Sequence, residues 1–213
     1  LEEITFEANP EDLNVDYLRA LIDTGINRLS IGVQSIDDEL LRFLGRRHSA
    51  KDAILCFENA RKVGFKNISV DLIYGIPGLS RQAWNKSLNS ILDLGIEHLS
   101  AYHLEIEPKT LLNKRLLQGD FALLDDEVSY SQYFDLVEIS TKRGVTQYEI
   151  SNFAKSGFKS KHNSSYWNRT EYLGFGPSAH SFYDNKRTYN IASISKYCEN
   201  VLSNQNYFET ESL

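Results

Sequence analysis

Three polar residues stand toward the carboxyl ends of apolar, strand-like runs: Glu7 after Ile4-Thr-Phe, Gln34 after Leu29-Ser-Ile-Gly-Val, and Asp71 after Ile68-Ser-Val. Successive side chains of a strand point to opposite faces. One face therefore collects Thr5, Glu7 and Asn9, then Ser30, Gly32 and Gln34, then Ser69, Asp71 and Ile73, then Ser100, Tyr102 and Leu104. Taken singly, each polar residue reads as a buried group satisfied by nearby backbone. Convergence of three at the strand ends where α/β folds place their sites favours a ligand instead. Two carboxylates and an amide suit amino, ribose and amide-edge donors, and suit phosphate badly.

A second constellation lies in His162-Asn-Ser-Ser-Tyr166-Trp167, where an imidazole stands beside two flat aromatic rings in a polar, loop-like stretch. An imidazole can ligate heme iron, and aromatic rings can pack on a porphyrin face. From spacing alone the plainer reading is favoured: Tyr166 and Trp167 anchor the second half while His162 makes a local hydrogen bond. His180, in Gly174-Phe-Gly-Pro-Ser-Ala-His180, is a competing ligand or a propionate contact. His103, on the strand face opposite Tyr102, reads as structural.

The elements that must position these groups follow from a repeat. Thr24-Gly-Ile-Asn-Arg-Leu-Ser-Ile-Gly-Val-Gln34, Val63-Gly-Phe-Lys-Asn-Ile-Ser-Val-Asp-Leu-Ile73 and Leu94-Gly-Ile-Glu-His-Leu-Ser-Ala-Tyr-His-Leu104 align without gaps. Each reads as a helix ended by a left-handed glycine, a tight turn and a buried strand. Asn14, Ser49 and Ser80 suit the N-caps of helices running through Leu18-Leu21, Ala53-Phe57 and Trp84-Leu92. With an opening strand at Ile4–Ala8, this is an α/β chain with a parallel sheet, open or curled into a barrel. A fourth joint, Arg143-Gly-Val-Thr-Gln-Tyr-Glu-Ile150, follows a helix over 126–142 whose apolar side is expected to be Tyr130, Tyr133, Phe134, Val137 and Ile139. The barrel part is expected over 1–125 and a helix and short-strand extension over 126–213.

Composition narrows the classes. The 213 residues, 41% hydrophobic and 12% aromatic, can bury one sizeable core, and 4 Pro argue against disorder. A net charge of −6 makes nucleic acid an unexpected partner. Cys56 and Cys198 match no metal-ligand spacing and read as reduced thiols of a cytosolic protein. No apolar run approaches the roughly 20 residues of a membrane span. The strand pattern begins at once and Met is lacking, so a piece of a longer protein is expected.

The runs Glu3-Ile-Thr-Phe-Glu-Ala-Asn-Pro10, Arg28-Leu-Ser-Ile-Gly-Val-Gln-Ser35, Leu44-Gly-Arg-Arg-His-Ser49, Asn67-Ile-Ser-Val-Asp-Leu-Ile-Tyr-Gly-Ile-Pro77, His98-Leu-Ser-Ala-Tyr-His-Leu104, Tyr148-Glu-Ile-Ser-Asn-Phe-Ala154, His162-Asn-Ser-Ser-Tyr-Trp167 and Tyr172-Leu-Gly-Phe-Gly-Pro-Ser-Ala-His-Ser181 are familiar in this order. They resemble the radical S-adenosylmethionine family of oxygen-independent coproporphyrinogen III oxidase-like proteins, and the His-Asn-x-x-Tyr-Trp element is similar to its heme chaperone branch. The resemblance implies a partial (β/α)6 TIM-like barrel with strands 3–6 present and a small C-terminal α+β extension covering the cavity mouth. It also implies an upstream Cys-x-x-x-Cys-x-x-Cys loop for a [4Fe-4S] cluster. In such enzymes an electron from that cluster cleaves S-adenosylmethionine to a 5'-deoxyadenosyl radical.

By the same resemblance Glu7, Gln34, Arg46, Asp71 and Tyr102 hold S-adenosylmethionine, and His162, Tyr166 and Trp167 contact heme, His162 as a candidate iron ligand. Arg46 otherwise reads as a cation at the C-terminus of the helix 38–44, and Arg47 as structural. The implied partners are heme or a porphyrinogen and respiratory heme enzymes at the membrane, for a cytoplasmic protein peripheral to it. The chain itself lacks the cluster cysteines, so no catalytic residue is assigned within it and the fragment alone is expected to be inactive. The competing reading is the oxidase itself, a dehydrogenase converting coproporphyrinogen III to protoporphyrinogen IX. An unrelated barrel enzyme ranks last, because Gly75-Ile-Pro-Gly78 makes a poor phosphate loop with Pro77 lacking a donor.

Overall fold

A computed structural model describes residues 2–212, which fall into two compact units divided between Lys159 and Ser160. The first unit contains β1 (Thr5–Ala8), a 3-10 turn (Pro10–Asp12), α1 (Val15–Asp23), β2 (Arg28–Gln34), α2 (Asp38–Phe43), α3 (Ala50–Val63), β3 (Ile68–Tyr74) and α4 (Arg81–Asp93). It continues through β4 (His98–His103), α5 (Leu111–Leu117), α6 (Asp126–Lys142), β5 (Thr146–Gln147) and β6 (Asn152–Ala154). The second holds α7 (Lys161–Trp167), β7 (His180–Tyr183), β8 (Lys186–Asn190), α8 (Ile194–Leu202) and β9 (Phe208–Ser212).

The repeat in the sequence becomes three αβ joints. Asn14 Oδ1 accepts from the Tyr17 N–H at 2.8 Å, Ser80 Oγ from Ala83 at 3.2 Å, and Ser49 with Asp52 closes a reciprocal capping box. Gly25, Gly64 and Gly95 adopt φ of 89°, 118° and 76° just past the helices, the left-handed turn each joint needs. β1 to β4 then pair in parallel and in sequence order. Leu29, Ile31, Val33, Val70, Leu72 and Leu99 on one face share a single core with Leu18, Phe57, Ala60, Trp84 and Leu88 of the crossover helices. Burying each such Leu, Ile or Phe contributes about 1.5–3 kcal/mol. The polar face is left to Ser30, Ser69 and Ser100, all buried.

The fourth joint departs from expectation. Gly144 does turn the chain, but the strand that follows has two residues, Thr146–Gln147. It pairs antiparallel with β6, which itself runs antiparallel to β4. The parallel part therefore ends at β4, and a hairpin closes that edge of the sheet.

α6 lies within the first unit; Tyr133, Val137 and Ile139 of its expected apolar side pack against the core, but its most buried face carries mostly polar residues and leaves the other two outside. Tyr130 and Phe134 are 66% and 68% exposed, while Ser129, Gln132, Asp135, Leu136 and Ser140 are buried. Hydrogen bonding explains the choice. Gln132 accepts from the Gly75 N–H and donates to the Leu79 carbonyl, both at 2.8 Å, and its own carbonyl accepts from Trp84 Nε1 at 2.9 Å. Asp135 takes a two-pronged contact from Arg81 at 2.6 Å for each pair. These bonds satisfy a buried polar stripe that spacing alone assigned to solvent.

In the second unit β7, β8 and β9 form an antiparallel sheet in that order. The register Phe182↔Arg187↔Glu211 and His180↔Tyr189↔Glu209 sets His180, Phe182, Arg187 and Tyr189 on one face. The stretch around His162, expected as a loop, is the helix α7, capped by Ser160 Oγ accepting from the Asn163 N–H at 3.2 Å. Its short length and wholly polar first turn hid the helical period. Among the described residues, no helix is long and apolar enough to cross a membrane.

Candidate functional site

The polar face of β1 to β4 is assembled by register. Glu7 stands opposite Ser30, Ser30 opposite Ser69, Asp71 opposite Ser100, and Ile73 opposite Tyr102. Ser30 Oγ donates to both oxygens of Asp71, at 3.2 and 3.3 Å. Burial pushes the Asp71 carboxyl up to about 6, against the hydrogen bonds from Ser100 and Ser30 and the charge of Arg28, with the Glu7 charge adding to the rise. Glu7 itself is exposed at the strand end. The Tyr102 hydroxyl is also pushed up by burial and then by the Asp71 charge, while Ser100 and Asn152 hydrogen-bond it.

Gln34 reaches this face by a route that simple alternation misses. The β2–β3 register shifts between Ile31 and Gln34, so that Gln34 pairs with Leu72, and Gln34 holds φ at 64°. Such a left-handed non-glycine residue costs about 1–3 kcal/mol and is kept only where its surroundings enforce it. The amide turns back over Gly32, where an added Cβ would meet Gln34 Nε2 at 2.9 Å and Arg46 Nη2 at 3.4 Å. A glycine here leaves the room in which two side chains converge.

Arg46 follows α2 and donates from Nη2 to Asn9 Oδ1 at 2.5 Å and to the Gly32 carbonyl at 3.2 Å. Its Nε is buried without a partner. Below the bulge, buried His48 lies 3.0 Å from the Val33 carbonyl through Nε2 and 3.0 Å from Glu11 Oε2 through Nδ1. Burial raises the Glu11 carboxyl, but its own backbone N–H, His48 and Arg47 outweigh that and leave it lowered. Arg47, exposed, bonds Glu11 at 3.0 Å, the structural role expected of it.

Deeper on the same face, buried His98 joins Ser69 Oγ and the Tyr148 hydroxyl, each at 2.7 Å. Burial, then the Arg28 charge, lowers its imidazole to about 3, so it is neutral. Asn9, Ser30, Ser100, Asn152 and His48 were not singled out as site residues from the sequence. The serines had a signal in the repeat, which sets Ser at the same point of each joint. Asn152, whose Oδ1 is buried without a partner, had none, because it arrives on the antiparallel strand β6.

S-adenosylmethionine, which the resemblance implied, can be tested against this donor set. The unpartnered Arg46 Nε suits an acceptor, the Asp71 and Glu7 carboxylates suit amino or ribose donors, and Gly32 and Gln34 leave an amide at the rim; the set fits. The [4Fe-4S] cluster is different. Among the described residues no three His, Cys, Asp or Glu are grouped to hold a metal. Cys56 is buried, its thiol pushed up to about 12 by burial and then by Glu11, and Cys198 is exposed.

In the second unit, His162 and Tyr166 lie one turn apart on α7, Tyr166 OH within 2.9 Å of His162 Nε2 and the rings edge to face at 4.9 Å. Trp167 is 58% exposed.

Residues 1–91 match the family described as the Radical SAM superfamily. The chain is 42% identical over 199 residues to heme chaperone HemW of Bacillus subtilis, covering 93% of this chain and 52% of that protein. It is 40% identical over 178 residues to radical S-adenosyl methionine domain-containing protein 1, mitochondrial, of Bos taurus, covering 84% of this chain and 40% of that protein. Among solved structures it is similar to coproporphyrinogen III oxidase (HemN) from Escherichia coli, with a TM-score of 0.83 and 22% identity over 99% of this chain and 51% of that one. This likeness shows the fold, the wall of a radical SAM TIM-like barrel. The chain spans about half the length of the curated relatives it matches.

Proposed function

We propose that the chain belongs to the radical SAM superfamily, whose description residues 1–91 match, and that the whole protein is a heme chaperone that binds S-adenosylmethionine, a [4Fe-4S] cluster and heme. The observation that carries this reading is the 42% identity, over 93% of the chain, to a protein named as a heme chaperone. The oxidase reading has a likeness of fold behind it but only 22% identity, and is the weaker.

In this reading Arg46, with Asn9 fixing its guanidinium, holds the methionine carboxylate. Asp71 and Glu7 take the ribose and amino donors, Gln34 reads the rim of the ligand, and Tyr102 closes one side by its backbone and ring. When bound beside a reduced cluster, S-adenosylmethionine supplies a sulfonium open to one-electron reduction. The residues of this chain orient it. Asp71 is the group whose proton balance changes, since donors arriving at its carboxylate favour the charged form. The cluster cysteines belong to sequence outside this chain.

Heme is assigned to the second unit, with His162, Tyr166 and Trp167 forming part of its seat. We place the protein in the cytoplasm, delivering heme to respiratory enzymes at the membrane surface. A hemin titration of the full-length protein by visible absorption tests the reading. Saturable one-to-one binding is expected, and a featureless, non-saturating response would contradict it.

A further inference from the structure

We propose that the cavity on the sheet face of the second unit seats the porphyrin, with Arg169 and Arg187 holding its two propionates and His180 supplying the imidazole to iron. This deepens the heme reading and rests on it. The cavity, about 440 Å³, is lined by Tyr166, Tyr172, His180 and Phe182 together with the two arginines, within the range of small-molecule sites. Its aromatic wall is continuous: Tyr166 and Tyr172 pack edge to face at 4.8 Å, and Tyr172 and Phe182 lie 6.4 Å apart at 36°. Flat apolar rings beside two guanidinium forks that carry no ion pair of their own match a planar macrocycle carrying two carboxylates.

The charges are placed to orient it. Arg169 and Arg187 make no ion pair among the described residues within 4.0 Å; of the two acids that β9 sets on this face, Glu211 stands cross-strand from Arg187 but does not line the cavity, and Glu209 accepts from Tyr189 OH at 2.5 Å and lines a neighbouring cavity of about 330 Å³. His180 lines both cavities. The propionates are therefore assigned to the cavity that the two arginines line rather than to the one that Glu209 lines.

The imidazoles differ in availability. His162 Nε2 is already engaged by Tyr166 OH at 2.9 Å. The His180 ring has no hydrogen bond among the described residues, and lies 5.8 Å from the Tyr189 ring at 42°. Iron ligation needs an unshared ring nitrogen. His162 is then a positioning residue, holding Tyr166 as part of the wall.

The test uses the full-length protein with hemin, iron-free protoporphyrin IX and protoporphyrin IX dimethyl ester. His180→Ala is expected to shift the Soret band of bound hemin, with added imidazole restoring it, while His162→Ala weakens binding without moving the band. Replacing both arginines (R169Q with R187Q) is expected to weaken protoporphyrin IX binding about tenfold or more, as loss of charge-assisted bonds should, and to leave the dimethyl ester unaffected. Both arginines are exposed, and thermal melts of every variant, with His180→Gln as a second variant, check folding. If wild-type protein binds hemin but these variants match it, or the band moves in His162→Ala and not in His180→Ala, the pocket assignment falls while the heme reading stands. If wild-type protein binds neither hemin nor porphyrin, both fall.

Discussion

Asp71 combines burial with the ligand role proposed for it, and its proton ties the two together. Its folded-state pKa near 6 lies above the ordinary carboxylate value, so the folded protein binds the proton more tightly than the unfolded chain. Stability from this group therefore falls as pH rises from about 4 through 6, and the deficit persists above. Asp71→Asn is expected to raise the melting temperature at pH 7.5, by an amount equivalent to about 1–3 kcal/mol, and to give no gain near pH 4. Thermal melts at the two pH values check this; equal melting temperatures at pH 7.5 would place the carboxyl in a better-solvated setting. Ligand donors favour the charged form, so S-adenosylmethionine affinity of the full-length protein should rise between pH 5 and 7.5, and lose that rise in Asp71→Asn. His98 acts oppositely: lowered to about 3, it favours the fold above the unfolded imidazole pKa and loses that contribution as pH falls. The Asp71 effect is thus best read as the difference between variant and wild type.

At the scale of elements, β2 is where regular structure yields to the site. Its bulge re-aims Gln34, and Gly32 gives the space. In Gly32→Ala the new methyl meets the movable end of Gln34 rather than backbone. Stability should fall by no more than about 1 kcal/mol, while S-adenosylmethionine affinity, read by calorimetry, drops several-fold. Unchanged affinity would remove the Gln34–Arg46 convergence from the site. For α6, Gln132→Leu leaves the Gly75 N–H and Leu79 carbonyl buried without partners and should cost about 2–4 kcal/mol, measured by urea unfolding. A neutral result would mean that water reaches the Gly75 turn.

The same contrast explains what could be read from residue order. Caps, terminal glycines and the strand period are local, and Asn14, Ser49, Ser80, Gly25, Gly64 and Gly95 marked the joints correctly. Glu7 and Asp71 followed from alternation. The Gln34 bulge, the buried polar stripe of α6 and the antiparallel pairing of β6 with β4 depend on partners distant in sequence. Tyr133, Val137 and Ile139 of α6 pack on the core as expected, but Tyr130 and Phe134 are turned out because Gln132 and Asp135 are held by Gly75, Leu79 and Arg81, some fifty residues away.

At the scale of the whole molecule, two compact units carry two chemistries: an acidic, amide-lined strand end and an aromatic, arginine-flanked sheet face. A chaperone must hold heme and release it; an oxidase must consume a porphyrinogen. The direct measurement is heme transfer from hemin-loaded full-length protein to an apo b-type cytochrome, followed by the cytochrome's own absorption bands, beside an anaerobic incubation with coproporphyrinogen III, S-adenosylmethionine and a reductant. Transfer of heme with coproporphyrinogen III left intact is the expected result. Conversion of coproporphyrinogen III to a vinyl-bearing product, with no heme passed to the acceptor, would contradict it.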